Sequence, residues 1–258
     1  MKIISLVAIL SGLILFPLPL MALHDSNQKI ELVEITTAAG DKVKVIYCAP
    51  QTIDKIPARK RNTMPVVIYN HGLIVQKKGY QGAKKAGYDV ADFVRELARN
   101  GFIGLAPLRP DRPLPLNDIM AAALKSLPDQ TQANRSKIGL IGFSYGGLLT
   151  LRAALTFTNL GAVVLMSPAL TGQRNDPGLK EIYDHLDKLT VPVMVTLGVS
   201  DPPRIKNHVQ QILIPHLQKQ IKGLELKVDY PGNHAWFWQV RPEYWPDIIA
   251  FLGRHLPR

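Results

Sequence analysis

Ser144, Asp201 and His234 are three side chains with complementary chemistry, and they occur in the order nucleophile, acid, base. A serine hydroxyl is too weak an acid to attack a carbonyl unaided, so an imidazole must take its proton. A carboxylate then holds the imidazole in the right tautomer and stabilises its charged form. Ser144 stands at the centre of Gly142-Phe-Ser-Tyr-Gly146. G-x-S-x-G is the pattern of a strand-to-helix elbow, whose strained turn pushes the hydroxyl out of a sheet edge. The flanking glycines leave room for a neighbouring strand and for the helix backbone, because glycine has no Cβ to collide with them. Asp201 lies in Gly198-Val-Ser-Asp201 and His234 in Pro231-Gly-Asn-His234, each where an apolar run has just ended.

The elements that must carry these residues follow from periodicity. Ile138, Leu140 and Ile141 form a strand-like run before the elbow, and Leu148, Leu149, Leu151, Ala154 and Leu155 continue after it with helical spacing. Upstream, 29–37 and 42–48 read as a hairpin around Ala39-Gly40-Asp41 that forms an antiparallel edge. The strand 65–70 ends at His71-Gly72-Leu73, a turn whose Leu73 amide can join that of Tyr145 as an oxyanion hole; His71 itself reads as a structural residue. Further on come a lysine-bearing loop at 74–87, a helix at 88–99, a strand at 102–106, a proline-rich surface loop at 107–115 and a helix capped by Asn117. Downstream of the elbow lie a strand at 161–166, a short insert with one helical stretch at 179–189, a strand at 192–197 and a helix at 205–220. A strand at 224–230 and a closing helix at 244–256 complete the chain. Repeated strand and helix alternation implies an α/β domain, its sheet mostly parallel with helices on both faces. In such a sheet, sites assemble beyond the C-terminal strand ends.

Other readings of the same residues stay open. Asp201, before Pro202 and Pro203, also suits a helix cap, and Asp176, Asp184 and Asp187 are rival acids in the insert. Tyr88, Arg109, Trp236 and Trp238 are candidate substrate-binding walls, although core packing accounts for aromatic residues equally well. Lys77, Lys78, Lys84 and Lys85 suit an anionic substrate or a solvated surface.

Composition narrows the class. The 258 residues fit a single domain, and the 47% hydrophobic content is ordinary for a globular protein. Residues 1–22 read as a secretory signal peptide: Lys2 is followed by an apolar run to Phe16, a proline break and a cleavage point after Ala22. Residues 23–258 are then the mature domain, periplasmic or secreted. The apolar run is shorter than the ~20 residues a spanning helix needs, which argues against stable membrane insertion, with an uncleaved anchor as the alternative. Cys48 is the only cysteine, so no internal disulfide forms. The net charge of +11 comes from scattered basic residues, with a small cluster at Arg59-Lys-Arg61 and no interleaved aromatic platform, so nucleic acid is not an expected partner. No metal-ligand spacing or dinucleotide fingerprint appears, and neither metal nor cofactor is expected.

From Glu31 to Leu256 the chain resembles the α/β-hydrolase superfamily and, within it, the dienelactone-hydrolase-related esterases. The resemblance rests on His71-Gly72 after a strand, Gly142-Phe-Ser-Tyr-Gly-Gly147, Gly198-Val-Ser-Asp201 and Tyr230-Pro-Gly-Asn-His-Ala-Trp-Phe237. It implies an α/β-hydrolase fold with a short cap insert. It further implies a serine hydrolase acting on a small or medium ester, with Ser144, Asp201 and His234 catalytic. Dienelactone hydrolases proper carry cysteine at the position of Ser144, so the ester expected here is not a dienelactone. The Ser-Tyr-Gly-Gly portion is also similar to prolyl-oligopeptidase-type peptidases, which leaves amide cleavage as an alternative. A non-catalytic binding protein on the same fold is a third reading.

Overall fold

The computed structural model describes residues 28–51, 64–112, 114–127, 133–170 and 177–256. The predicted signal peptide, the cluster at Arg59-Lys-Arg61 and the rival acid Asp176 lie outside the described residues.

Among the described residues the strands form one eight-stranded sheet. They are β1 (Glu31–Thr36), β2 (Lys42–Cys48), β3 (Met64–Asn70), β4 (Ile103–Leu108), β5 (Ala133–Phe143), β6 (Leu160–Met166), β7 (Val193–Ser200) and β8 (Leu224–Asn233). Their order is β1-β2-β4-β3-β5-β6-β7-β8. The hairpin β1–β2 pairs antiparallel, as does β2 with β4, whereas every pairing from β4 to β8 is parallel. The interior strands are apolar on both faces because both faces are covered. Since successive side chains alternate across a strand, Val66 and Ile68 enter one core and Val67 and Tyr69 the other.

The first core lies beneath α3 (Leu116–Lys125) and α4 (Tyr145–Ala154). Beside them runs a helical stretch made of α6 (Pro203–His208), a π turn (Val209–Leu213) and α7 (Ile214–Gln220). The second is covered by α1 (Leu73–Lys85), α2 (Val90–Arg99) and α8 (Trp245–His255). α2 shows why these segments are helical: Val90, Ala91, Phe93, Val94, Leu97 and Ala98 share its buried face, and the Asp89 side chain caps the amide of Ala91. The insert after β6 contributes α5 (Pro177–Asp184) and a 3-10 turn (Leu186–Lys188).

Several local expectations are corrected. Residues 74–87 are not a loop: they belong largely to α1, kinked at Gly79, whose φ of 70° only glycine adopts readily. Only Val75 and Ala83 of α1 are buried, so the apolar periodicity that would have marked a helix is nearly absent. Asn117 does not cap α3 but lies inside its first turn, where its amide donates to Thr156 Oγ1 at 2.6 Å. The helix expected at 205–220 contains the π turn, which immediately precedes α7, whose second residue is Pro215. Proline lacks an amide hydrogen and its ring crowds the preceding turn, and a wider turn accommodates both. β8 continues to Asn233, so His234 directly follows a strand instead of ending a loop.

Candidate active site

β5 runs in the sheet between β3 and β6, and the chain reverses at its end into α4. The reversal is made by Ser144, which has φ 54° and ψ −122°. That is a strained backbone for a residue with a side chain. Two contacts require glycine here. A Cβ at Gly142 would lie 2.4 Å from Thr150 Oγ1, and one at Gly146 would lie 2.1 Å from the Asn70 carbonyl oxygen. The elbow is tied to its neighbours by Ser144 N donating to Met166 O at 3.0 Å and by Ala169 N donating to Ser144 O at 2.9 Å.

Asp201 follows β7 at a tight turn, with its amide donating to Gly198 O at 3.1 Å. Its Oδ2 accepts from Gly198 N at 2.7 Å, and the side chain is wholly buried. The helix-cap alternative fails because α6 begins after Pro202 with no side-chain cap. His234 opens a 3-10 turn (His234–Trp238) held by Asn233, whose side chain accepts from Trp236 N at 3.0 Å. Its Nε2 is 2.7 Å from Ser144 Oγ and its Nδ1 is 2.9 Å from Asp201 Oδ1. A carboxylate only accepts, so the proton belongs on Nδ1, and Nε2 is free to accept from the serine. The arrangement can therefore draw a proton from Ser144 and hold the resulting imidazolium against a carboxylate. Of the rival acids, Asp184 pairs with Lys180 at the surface, and no contact joins Asp187 to His234 among the described residues.

Leu73 and Tyr145 are the first residues of α1 and α4. First-turn amides have no intrahelical acceptor and carry the positive end of the helix dipole. The turn before α1 runs close to the elbow: a Cβ built on Gly72 would stand 3.4 Å from that of Ser144.

Two of the four expected substrate walls lie in the interior instead. Tyr88 is fully buried, its hydroxyl 2.8 Å from that of Tyr69 and accepting from Gly72 N at 3.2 Å. Arg109 is 5% exposed; its amide donates to His71 Nε2 at 3.1 Å and its guanidinium to His71 O. Burial lowers the guanidinium to about 10, so it stays charged at neutral pH. Burial, reinforced by that cation, holds His71 well below the ordinary imidazole value of 6.5. Neutral His71 then donates from Nδ1 to Gly72 O at 2.9 Å and accepts at Nε2. Tyr88 and Arg109 thus brace the His71-Gly72 turn from behind. Arg112, from the same loop as Arg109, pairs with Asp41. Trp238 is half-buried and stacks on Tyr88, and Trp236 stacks on Tyr230 beneath the Arg241 guanidinium. On α1, Lys77 pairs with Asp111 and Lys84 with Asp89.

Sequence reasoning passed over Ser167, the residue immediately after β6. Its hydroxyl lies 2.7 Å from Asp201 Oδ1 and 2.9 Å from His234 Nδ1. A serine at a strand end before Pro168 reads as an ordinary turn. The one available signal was its place at the same sheet edge as the other three.

The sequence model of the dienelactone hydrolase family matches residues 107–247. No curated protein matches. Among solved structures, an esterase of Pyrococcus furiosus superposes with a TM-score of 0.65 at 19% identity, over 89% of this chain and 94% of that one. A candidate dienelactone hydrolase of Klebsiella pneumoniae gives 0.59 at 19% identity, over 88% and 99%. The acylaminoacyl peptidase of Pyrococcus horikoshii gives 0.66 at 14% identity, over 90% of this chain and 42% of that one. At these identities the superpositions speak to the fold, which is the α/β-hydrolase fold.

Proposed function

The chain belongs to the dienelactone hydrolase family, and from that premise we propose that it is a serine carboxylesterase acting through an acyl-enzyme on Ser144. The observation that carries the reading is the pair of contacts on one imidazole, 2.7 Å to Ser144 Oγ and 2.9 Å to Asp201 Oδ1. Ser144 Oγ attacks the ester carbonyl while His234 Nε2 takes its proton, and Asp201 stabilises the imidazolium. The carbonyl oxygen, now carrying negative charge, is met by the Leu73 and Tyr145 amides. Loss of one such donor typically raises a barrier by ~3 kcal/mol. Collapse of the adduct expels the alcohol, which receives its proton from His234. Water activated by the same imidazole then releases the acid.

Ester specificity is preferred to amide cleavage on the family match. The peptidase reading keeps one support, the fold shared with the Pyrococcus horikoshii acylaminoacyl peptidase. Serine at position 144, where dienelactone hydrolases proper carry cysteine, directs the reading toward a simple ester of small or medium size. Residues 1–22 direct the enzyme out of the cytoplasm, to the periplasm or the medium.

Expressed with its own leader, the protein is expected in the exported fraction with Leu23 at its N-terminus, turning over short-chain nitrophenyl esters faster than the matching anilides. Ser144→Ala should lower kcat by roughly 10⁶-fold and Asp201→Asn by roughly 10⁴-fold, both remaining folded. Faster anilide turnover would move the assignment to a peptidase. A folded wild type inert toward both would leave the fold as a binding scaffold, and a retained Met1 in the exported fraction would overturn cleavage of the leader alone.

A further inference from the structure

Ser167 occupies a position that the ester mechanism above does not use. It is fully buried and has φ 42°, in the left-handed region that a residue with a side chain enters only under constraint. It also precedes Pro168, which further restricts its backbone. Three contacts over-determine this conformation. Ser167 N donates to Thr196 O on β7 at 2.8 Å. Pro168 packs against α4 so tightly that a Cβ on Gly147 would lie 2.7 Å from the proline Cβ. Ala169 N donates to the carbonyl of Ser144 itself. The turn after β6 is thereby fastened to the nucleophile elbow on one side and to the acid-bearing strand on the other.

From that anchored turn the hydroxyl reaches both remaining members of the relay. A hydroxyl has one hydrogen to give and lone pairs to accept with. A carboxylate oxygen accepts, so Ser167 donates to Asp201 Oδ1 at 2.7 Å. The Nδ1–H of His234 then points between two acceptors, Asp201 Oδ1 and Ser167 Oγ, each at 2.9 Å. A two-pronged acceptor restricts rotation of the ring more than a single carboxylate oxygen does, and both prongs favour the tautomer that leaves Nε2 free. On the ring face the constraint is continued by Phe143, whose centroid is 4.9 Å from that of His234. The side chain of His234 is 22% exposed, so packing alone leaves one flank of the ring open.

We propose that Ser167 is a positioning residue of this site, its hydroxyl bridging Asp201 and His234 so that the imidazole stays aligned on Ser144. The inference rests on the serine-hydrolase reading for its consequence in turnover, though the bridge itself does not depend on it. Ser167→Gly and Ser167→Ala both delete the hydroxyl, and glycine tolerates the positive φ, so the first keeps the turn. Both variants are expected to lower kcat roughly tenfold, the scale of a misaligned general base, with KM within about twofold. Proton NMR should show the downfield resonance of the His234 Nδ1 proton displaced or broadened in both, an effect that general packing would not produce. An Nδ1 resonance unmoved in Ser167→Gly overturns the proposal, whether or not kcat falls. So does an unchanged kcat in that variant. If the wild type turns over no ester, the esterase reading fails, while a displaced resonance still supports the bridge.

Discussion

At the scale of single residues, the site sets two histidines in different surroundings. His234 stands partly open to solvent with a carboxylate on one nitrogen and a hydroxyl on the other. His71 is sealed against Arg109 and cannot readily be protonated. Its imidazole is depressed in the folded protein, and the unfolded chain therefore binds a proton more readily once the pH drops below about 6.5. The stability tied to neutral His71 is present above that pH and is lost as the pH falls. The limiting slope for one proton is about 1.4 kcal/mol per pH unit. Urea unfolding of the wild type at pH 7.5 and pH 5.5 should show this loss, and His71→Gln should show a shallower slope although it is less stable at pH 7.5. Equal slopes would place the acid sensitivity elsewhere.

At the scale of elements, each side chain of the candidate site is held by a backbone feature that its sequence specifies. Gly146 shows how little latitude exists: a methyl group there would lie 2.1 Å from the Asn70 carbonyl oxygen and 2.5 Å from that of His71. Gly146→Ala must push α4 away from the end of β3, which separates the Tyr145 amide from the Leu73 amide. The expected outcome is a loss of ~2–4 kcal/mol in stability together with loss of ester turnover, read by denaturant unfolding and assay of the same preparation. Turnover retained at the wild-type level would mean that the contact is readily relieved.

The same elements show what was legible in the sequence. The strand ends were legible because Ile138 to Ile141 and Val193 to Leu197 are largely apolar runs buried on both faces, and they end within four residues of Ser144 and Asp201. α1 was not, because two glycines and its lysines mask a helix that buries only Val75 and Ala83. The interior position of Arg109 was illegible for another reason. Arginine beside prolines reads as a surface loop, and only the tertiary structure brings it against His71. Ser167 likewise acquires its meaning from Asp201 and His234, partners 34 and 67 residues away.

At the scale of the whole molecule, the parallel sheet gathers distant segments at one edge. β3, β5, β6, β7 and β8 deliver Gly72, Ser144, Ser167, Asp201 and His234 from stretches spread over most of the chain. Two cores, one on each face, fix the strands that carry them. The relay is therefore a property of sheet order: β6 separates β5 from β7, and its terminal turn bridges the nucleophile to the acid. On the proposed mechanism, this edge makes Ser144 a nucleophile. The most direct measurement is exposure of the folded protein to a fluorescent organophosphonate, followed by peptide mass spectrometry to locate the adduct. One adduct is expected, on Ser144, formed slowly or not at all in His234→Ala and absent from Ser144→Ala. A folded wild type that stays unlabelled, or an adduct on another residue, would contradict that mechanism.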